Sequence, residues 1–402
     1  MRGRLFHGWV VVAACFVQAT FAWGLGFYGL GVYLVQLQGR AGWSAALVSS
    51  AITFYFFIGA LLVALTGTLY ERLGPRVLAS LGACAFAVAL TAMAHATARW
   101  QLFAAFAVLA LGWGTTTSAA INMIVAPWFD RRRGLALSLA LTGASVGGVI
   151  APPLLVLAIE RLGFARGVEG AGWAMAAIVV PLAWWAMVRE PAALGLRRDC
   201  RDAPQAPRAP DAAQAPWSLG ATLRAGPFWT IVIPFALGLT AQVAFLTHQV
   251  AILEPALTRS GAALGVSVTG AAAVIGRVIS GALMDRLPRR TLAACNFALQ
   301  CAALVLMAHG GSAWLLYATC ALYGLGVGNL ISFPGLLVHQ EFSGAHFARI
   351  TGLVVGICQL TYSSGPALLG ALRAATGSYA AGLYACALAL AASAVIVLRR
   401  RG

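Results

Sequence analysis

Arg277 is the residue whose type and placement most clearly imply chemistry. It lies in the run VSVTGAAAVIGRVISGALMDRLPRR, residues 266–290, which is apolar until a charged exit. No Asp or Glu occupies the two helical turns before it. A guanidinium keeps its proton. Inside a membrane such a charge is costly and usually faces an internal cavity. Its own helix supplies no acid, so the expected partner is an anionic substrate. One guanidinium matches one carboxylate through a two-pronged hydrogen bond. The competing reading is a structural arginine held by backbone carbonyls.

Other polar residues in apolar runs join it as candidates. Thr115, Ser118 and Asn122 follow an i, i+3, i+7 spacing that puts them on one helical face. They either line a cavity or bond a neighbouring helix. Gln242, Phe245, His248 and Gln249 end a later run. His248 is the best-placed titratable group, because an imidazole titrates at about 6.5; an interfacial histidine is the alternative. Tyr28, Asn329, Gln359, Tyr362 and Ser363 are further substrate-binding candidates. Gly324, Gly326 and Gly328 before Pro334 suggest close packing or a bend. The eight cysteines are dispersed without a C-x-x-C pair, so buried free thiols are expected and a metal site is not. No nucleophile–base pair or cofactor motif is present, which disfavours an enzyme and implies no cofactor.

These residues must be positioned by membrane helices. The chain has 402 residues, 61% hydrophobic and 9% charged, with a mean hydropathy of +0.85. That composition describes an all-α membrane protein crossing the bilayer many times. Runs of about 20 apolar residues span a bilayer. Twelve occur: 9–37, 44–70, 77–97, 100–126, 134–159, 170–188, 227–253, 264–284, 292–309, 313–338, 346–372 and 377–398, the ninth the weakest. The net charge is +16 and every basic residue is arginine. The arginines lie mostly in short gaps, which argues for a lipid bilayer and against nucleic acid. Arg2, Arg4, Arg72, Arg76, Arg131 to Arg133, Arg197, Arg198, Arg286 to Arg290 and Arg399 to Arg401 share one side, predicting cytoplasmic termini. Residues 189–226 contain DCRDAPQAPRAPDAAQAP, a flexible cytoplasmic linker between an N-terminal bundle, 1–188, and a C-terminal bundle, 227–402.

A repeat relates the two halves. Residues 67–76 read GTLYERLGPR and residues 281–290 read GALMDRLPRR. Each copy sets an acid beside arginines where a helix leaves the membrane. Glu71, Arg72 and Arg76, with Asp285, Arg286 and Arg290, are therefore the gating candidates. The repeat resembles the loop signature of the major facilitator superfamily, with Glu71 in place of the usual Asp. Residues 128–147, WFDRRRGLALSLALTGASVG, resemble the signature of the monocarboxylate transporters and the bacterial oxalate/formate antiporter group. Gly8-Trp9, and Glu341-Phe342 through Gly352, fit that group too.

The resemblance implies the major facilitator fold, twelve transmembrane helices in two pseudo-symmetric six-helix bundles. It implies a binding site near the bilayer midplane, with Arg277 where the monocarboxylate transporters carry an arginine. Ala273 stands where animal members have an Asp, no lysine occupies the first helix, and Gln359 stands where oxalate antiporters have a second cation. One cation suits a monocarboxylate such as lactate or pyruvate. The function implied is secondary transport of small organic anions by alternating access, with proton coupling or anion exchange both open. Export of amphipathic compounds is the alternative. The expected setting is a bacterial inner (plasma) membrane, with a functional monomer.

Overall fold

The structure, a computed structural model, describes residues 6–129, 132–188, 191–195, 218–283, 287–342 and 347–399. Among these every regular element is helical. Eleven helical segments are long and apolar enough to cross a membrane. A shorter helix, α12 (Ala313–Val327), with α13 (Phe333–Glu341) adds one more crossing, the tenth in chain order, for twelve among the described residues.

The first crossing is α1 (His7–Trp23) and α2 (Leu30–Ala41), joined by a π-helical turn at Gly24–Tyr28. The second and third form one element, α3 (Ala45–His95), which reverses at Gly74, φ 74 and ψ 172. Both of its arms reach the same stretch of α4 (Arg99–Thr116). The Thr66 hydroxyl donates to the Gly114 carbonyl at 2.9 Å, and Gly82 lies against Thr115 and Thr116. Glycine is needed at residue 74 because a side chain is strained at that φ. The fourth crossing finishes in α5 (Ser118–Val125). The fifth and sixth are α6 (Arg133–Leu162) and α7 (Phe164–Ala186). They turn on Gly163 alone, at φ 82, so they approach each other more closely in sequence than the expected 134–159 and 170–188.

A short helix, α8 (Leu219–Arg224), lies within the predicted linker and leads into α9 (Gly226–Leu253). The linker residues 189–190 and 196–217 lie outside the described residues. Then follow α10 (Arg259–Leu283), α11 (Arg289–Ala308), α12 with α13, α14 (Phe347–Tyr362) with α15 (Gly365–Thr376), and α16 (Ala380–Leu398). The ninth crossing, expected to be weakest, is a full 20-residue helix. The tenth is the interrupted one: α12 stops at Val327, and the chain turns before Pro334 re-starts a helix.

Twelve crossings return both chain ends to one face, the terminal face. There Trp128 is fully buried against Phe6 and His7. Trp9 and Phe129 meet edge to face at 4.9 Å. The two family-like segments, around Gly8-Trp9 and Trp128-Phe129, are therefore one packed aromatic cluster. The first and last six crossings meet through α6 with α10, α3 with α15, and α2 with α9.

Candidate substrate site

Close approach of α1 to α6 sets the first half of the site. A Cβ on Gly143 would stand 2.1 Å from the Phe16 carbonyl oxygen, and one on Gly147 2.3 Å from that of Thr20. Small residues let membrane helices touch backbone to backbone. Past this contact α1 widens into the π turn, a local form that recurs at functional sites. Tyr55 stabilises it by donating its hydroxyl to the Gly26 carbonyl at 2.7 Å. The turn lays the Tyr28 ring on Gly148, where a Cβ would sit 2.7 Å from its Cε2 and Cζ. On another side of the same residue, Gly270 of α10 packs against the Gly148 backbone. The Ser267 hydroxyl donates to the Val149 carbonyl at 2.6 Å nearby.

Gly270 is two turns before Arg277 on α10, so this junction brings the two halves' candidates together. Tyr28 and Arg277 lie within electrostatic reach of each other. Arg277 is partly buried. Among the described residues no carboxylate pairs with it, and its Nε is buried with no hydrogen-bond partner. The guanidinium rests over Gly328, whose added Cβ would meet Nη2 at 2.9 Å. This is the position where α12 has just ended. Asn329 follows, and its amide nitrogen donates to the Ser280 hydroxyl at 2.8 Å and to the Leu325 carbonyl at 3.1 Å. Asn329 thereby fixes the α10 turn that carries Arg277, with its side-chain donor already engaged.

An aromatic group adjoins Tyr28. Phe27 meets Tyr28 at 5.3 Å and stacks with Trp113 at 6.1 Å. Trp23 meets Trp113 at 5.2 Å. Phe56 contacts Phe27 at 6.1 Å and Tyr362, from the second half, at 5.8 Å. Tyr362 is thus part of this neighbourhood; Gln359 lies on the same helix, α14, and is half-buried. Phe27 and Trp113 are not among the residues that the sequence singles out. The glycine pair Gly24 and Gly26, which marks the π turn, was the available signal.

The remaining candidates occupy other places. Asn122 is half-buried in α5. The chain leaves helical geometry at Thr117, ψ −164, so Thr115, Ser118 and Asn122 do not form one continuous face. Thr115 donates back to the Leu111 carbonyl. Gln249 is fully buried and donates to the Thr269 hydroxyl at 2.7 Å, beside Cys320.

His248 is fully buried at the face opposite the chain ends. Its Nε2 lies 3.1 Å from both the Ser49 hydroxyl and the Pro366 carbonyl, and its Nδ1 3.1 Å from the Tyr379 hydroxyl. A carbonyl only accepts, so Nε2 carries a hydrogen. Burial pushes the Tyr379 phenol up to about 12, against the pull of the Arg373 charge. The phenol therefore keeps its hydrogen, within hydrogen-bond distance of Nδ1. The same face carries the Ala367 amide bonded to Thr53 at 3.0 Å and the Ser260 hydroxyl bonded to Glu160 at 3.0 Å.

The gating candidates also separate. Glu71 and Arg72 are exposed, and Arg76 lies over the Trp184 ring at 5.9 Å. Asp285 and Arg286 lie outside the described residues. Arg290 is buried, which corrects the expectation of a surface arginine. It grips Glu341 with Nε at 2.7 Å and Nη2 at 2.6 Å, and donates to the Val397 carbonyl and the Thr230 hydroxyl. It therefore joins α9, α11, α13 and α16 within the second half.

Residues 15–366 match the model of the Major Facilitator Superfamily. The chain belongs to that superfamily. This superfamily member is a transporter and an integral membrane protein rather than an enzyme. It is 29% identical to the MFS-type transporter pynF of Aspergillus niger, over 92% of this chain and 82% of that protein. It is 26% identical to monocarboxylate transporter 13 of Rattus norvegicus, over 97% of this chain and 88% of the relative. Its fold matches a crystal structure of a variant of the nucleoside transporter NupG with a TM-score of 0.77, at 13% identity, covering 98% of this chain and all of that one.

Proposed function

We propose that this superfamily member carries small organic anions, monocarboxylates above all, and that Arg277 binds the carboxylate. The observation that carries the reading is the state of that side chain. It is a permanent charge inside a membrane helix, placed between the halves, with a buried Nε that nothing described satisfies. A buried unpaired donor costs free energy, and a carboxylate accepting two bonds removes that cost. The similarity to monocarboxylate transporter 13 points the same way. Tyr28 lies in the field of the same guanidinium.

Alternating access supplies the cycle. The bonds of His248, Thr53 and Glu160 hold the two halves together at the face opposite the chain ends. That arrangement suits a state in which substrate exchanges through the terminal face. We place the terminal face in the cytoplasm, from the arginine clusters in its gaps. Coupling is either to a proton or to a counter-moving anion. The carrier acts as a monomer, because each chain holds a complete pair of halves.

Export of amphipathic compounds is the second reading, favoured by the rings around Phe27. Counterflow of radiolabelled acids in proteoliposomes decides between them. Accelerated exchange of monocarboxylates, lost in Arg277→Gln, is expected. Exchange of lipophilic cations without exchange of acids overturns the proposal.

A further inference from the structure

We infer that the acid carried is an aromatic monocarboxylate. This inference rests on Arg277 as the carboxylate anchor and names what occupies the rest of the site. Beginning at Tyr28, in the field of Arg277, the rings run without a break. Phe27 touches Tyr28, Trp113 stacks on Phe27 with planes 18° apart, and Trp23 closes on Trp113. Phe56 links Phe27 to Tyr362 across the two halves.

A packing cluster buries its rings. Here Trp113 and Phe56 are buried, at 6% and 1% exposure, and they form the back of the group. Trp23, Phe27 and Tyr362 keep accessible surface, although they come from both sides of the junction between the halves. Phe27 and Tyr362 are each one ring from a buried support. An aryl ring set among them gains offset or edge-to-face contacts at centroid separations of about 4.5–7 Å. A lactate-sized acid has no ring to set against those surfaces. The π turn explains the arrangement, since it sends consecutive residues to the two parts of the site: Tyr28 toward Gly148 and the arginine, Phe27 toward Trp113.

The test compares two acids of one charge and an aryl cation on the purified protein. Dissociation constants are measured by calorimetry for lactate, phenylacetate and benzyltrimethylammonium. Phenylacetate is expected to bind about tenfold tighter than lactate, and the aryl cation more weakly than either. Phe27→Leu and Tyr362→Leu remove the ring and keep an apolar side chain, and melting curves verify their folding. Each is expected to lower the phenylacetate-to-lactate preference several-fold. Equal affinity for the two acids in the parent, a preference unchanged in both variants, or tight binding of the aryl cation would each overturn the inference. Arg277→Gln reports separately on the anchor. If it loses both acids while the parent shows no aryl preference, the anchor stands and the aromatic class fails. If it still binds both acids, the anchor itself fails.

Discussion

Arg277 rests its guanidinium on Gly328, so closely that a Cβ on that glycine would stand 2.9 Å from Nη2 and 3.0 Å from Nε. Gly328 has an ordinary helical φ of −68, so alanine meets no backbone strain there. The conflict falls on a flexible side-chain end and on the Ala273 carbonyl oxygen at 3.0 Å. Gly328→Ala should therefore fold, with Tm changed by a few degrees, while tilting the guanidinium away from its bound geometry. Carboxylate affinity should drop about tenfold, about 1.4 kcal/mol. Calorimetric titration beside a thermal melt checks it, and unchanged affinity removes Gly328 from the site.

Tyr28 supplies a hydroxyl in the field of Arg277 and little packing that phenylalanine would not. Tyr28→Phe should weaken acid binding by about 1 kcal/mol, a typical hydrogen-bond contribution, and leave melting unaffected. Gly148→Leu should be far worse, because the added side chain is driven into the Tyr28 ring. Loss of folded protein is expected for it on size exclusion. A well-folded Gly148→Leu with parental affinity would show that the three-helix junction does not position the site.

The two-pronged pair of Arg290 and Glu341 separates stability from transport. Arg290 is buried, and removing a partner leaves a charge uncompensated. Glu341→Ala should destabilise the second half by about 3–5 kcal/mol, seen as a lower melting temperature and reduced expression. The exposed Glu71 should behave differently: Glu71→Gln should keep its melting temperature and slow exchange, as expected of a group that biases one conformation. Equal losses of stability in the two variants would contradict that division.

At the opposite face, His248 is the hub on which Ser49, Pro366 and Tyr379 converge. His248→Ala removes the Ser49 bond across the halves, together with two bonds that hold the ring within the second half, and should shift the halves apart there. Spin labels on cysteines replacing the exposed Ser50 and Thr376 report the separation. A longer distance population in His248→Ala than in the parent is expected. An unchanged distribution means that the histidine does not hold this closure.

Much of this was legible in the chain, for reasons that differ by residue. The crossings were, because each is an apolar run of bilayer length. Arg277 was, because a charge in such a run has no local explanation. The break in the tenth crossing was visible in Gly328 and Pro334, but its use as a seat for the guanidinium was not, since that depends on how α10 lies over α12. Thr115, Ser118 and Asn122 looked like one face because helical spacing assumes an unbroken helix, and Thr117 breaks it. His248 and Gln249 are neighbours in sequence, yet one bonds across the halves and the other turns into the second half. Periodicity cannot tell these directions apart when the whole helix is apolar. Glu341 stands out in the sequence only as part of a family-like segment; the fold shows Arg290 buried against it.

The central claim is that Arg277 holds the substrate carboxylate, and one paired measurement addresses it most directly. Carboxylate dissociation constants and melting curves are taken on the same purified samples of the parent, Arg277→Lys and Arg277→Gln. Lysine keeps the charge without the planar fork, so affinity should fall substantially. Glutamine should abolish binding and leave the melting temperature equal or higher, because an unsatisfied buried charge is gone. Arg277→Gln protein that binds carboxylates as tightly as the parent, or that fails to fold, would contradict the account.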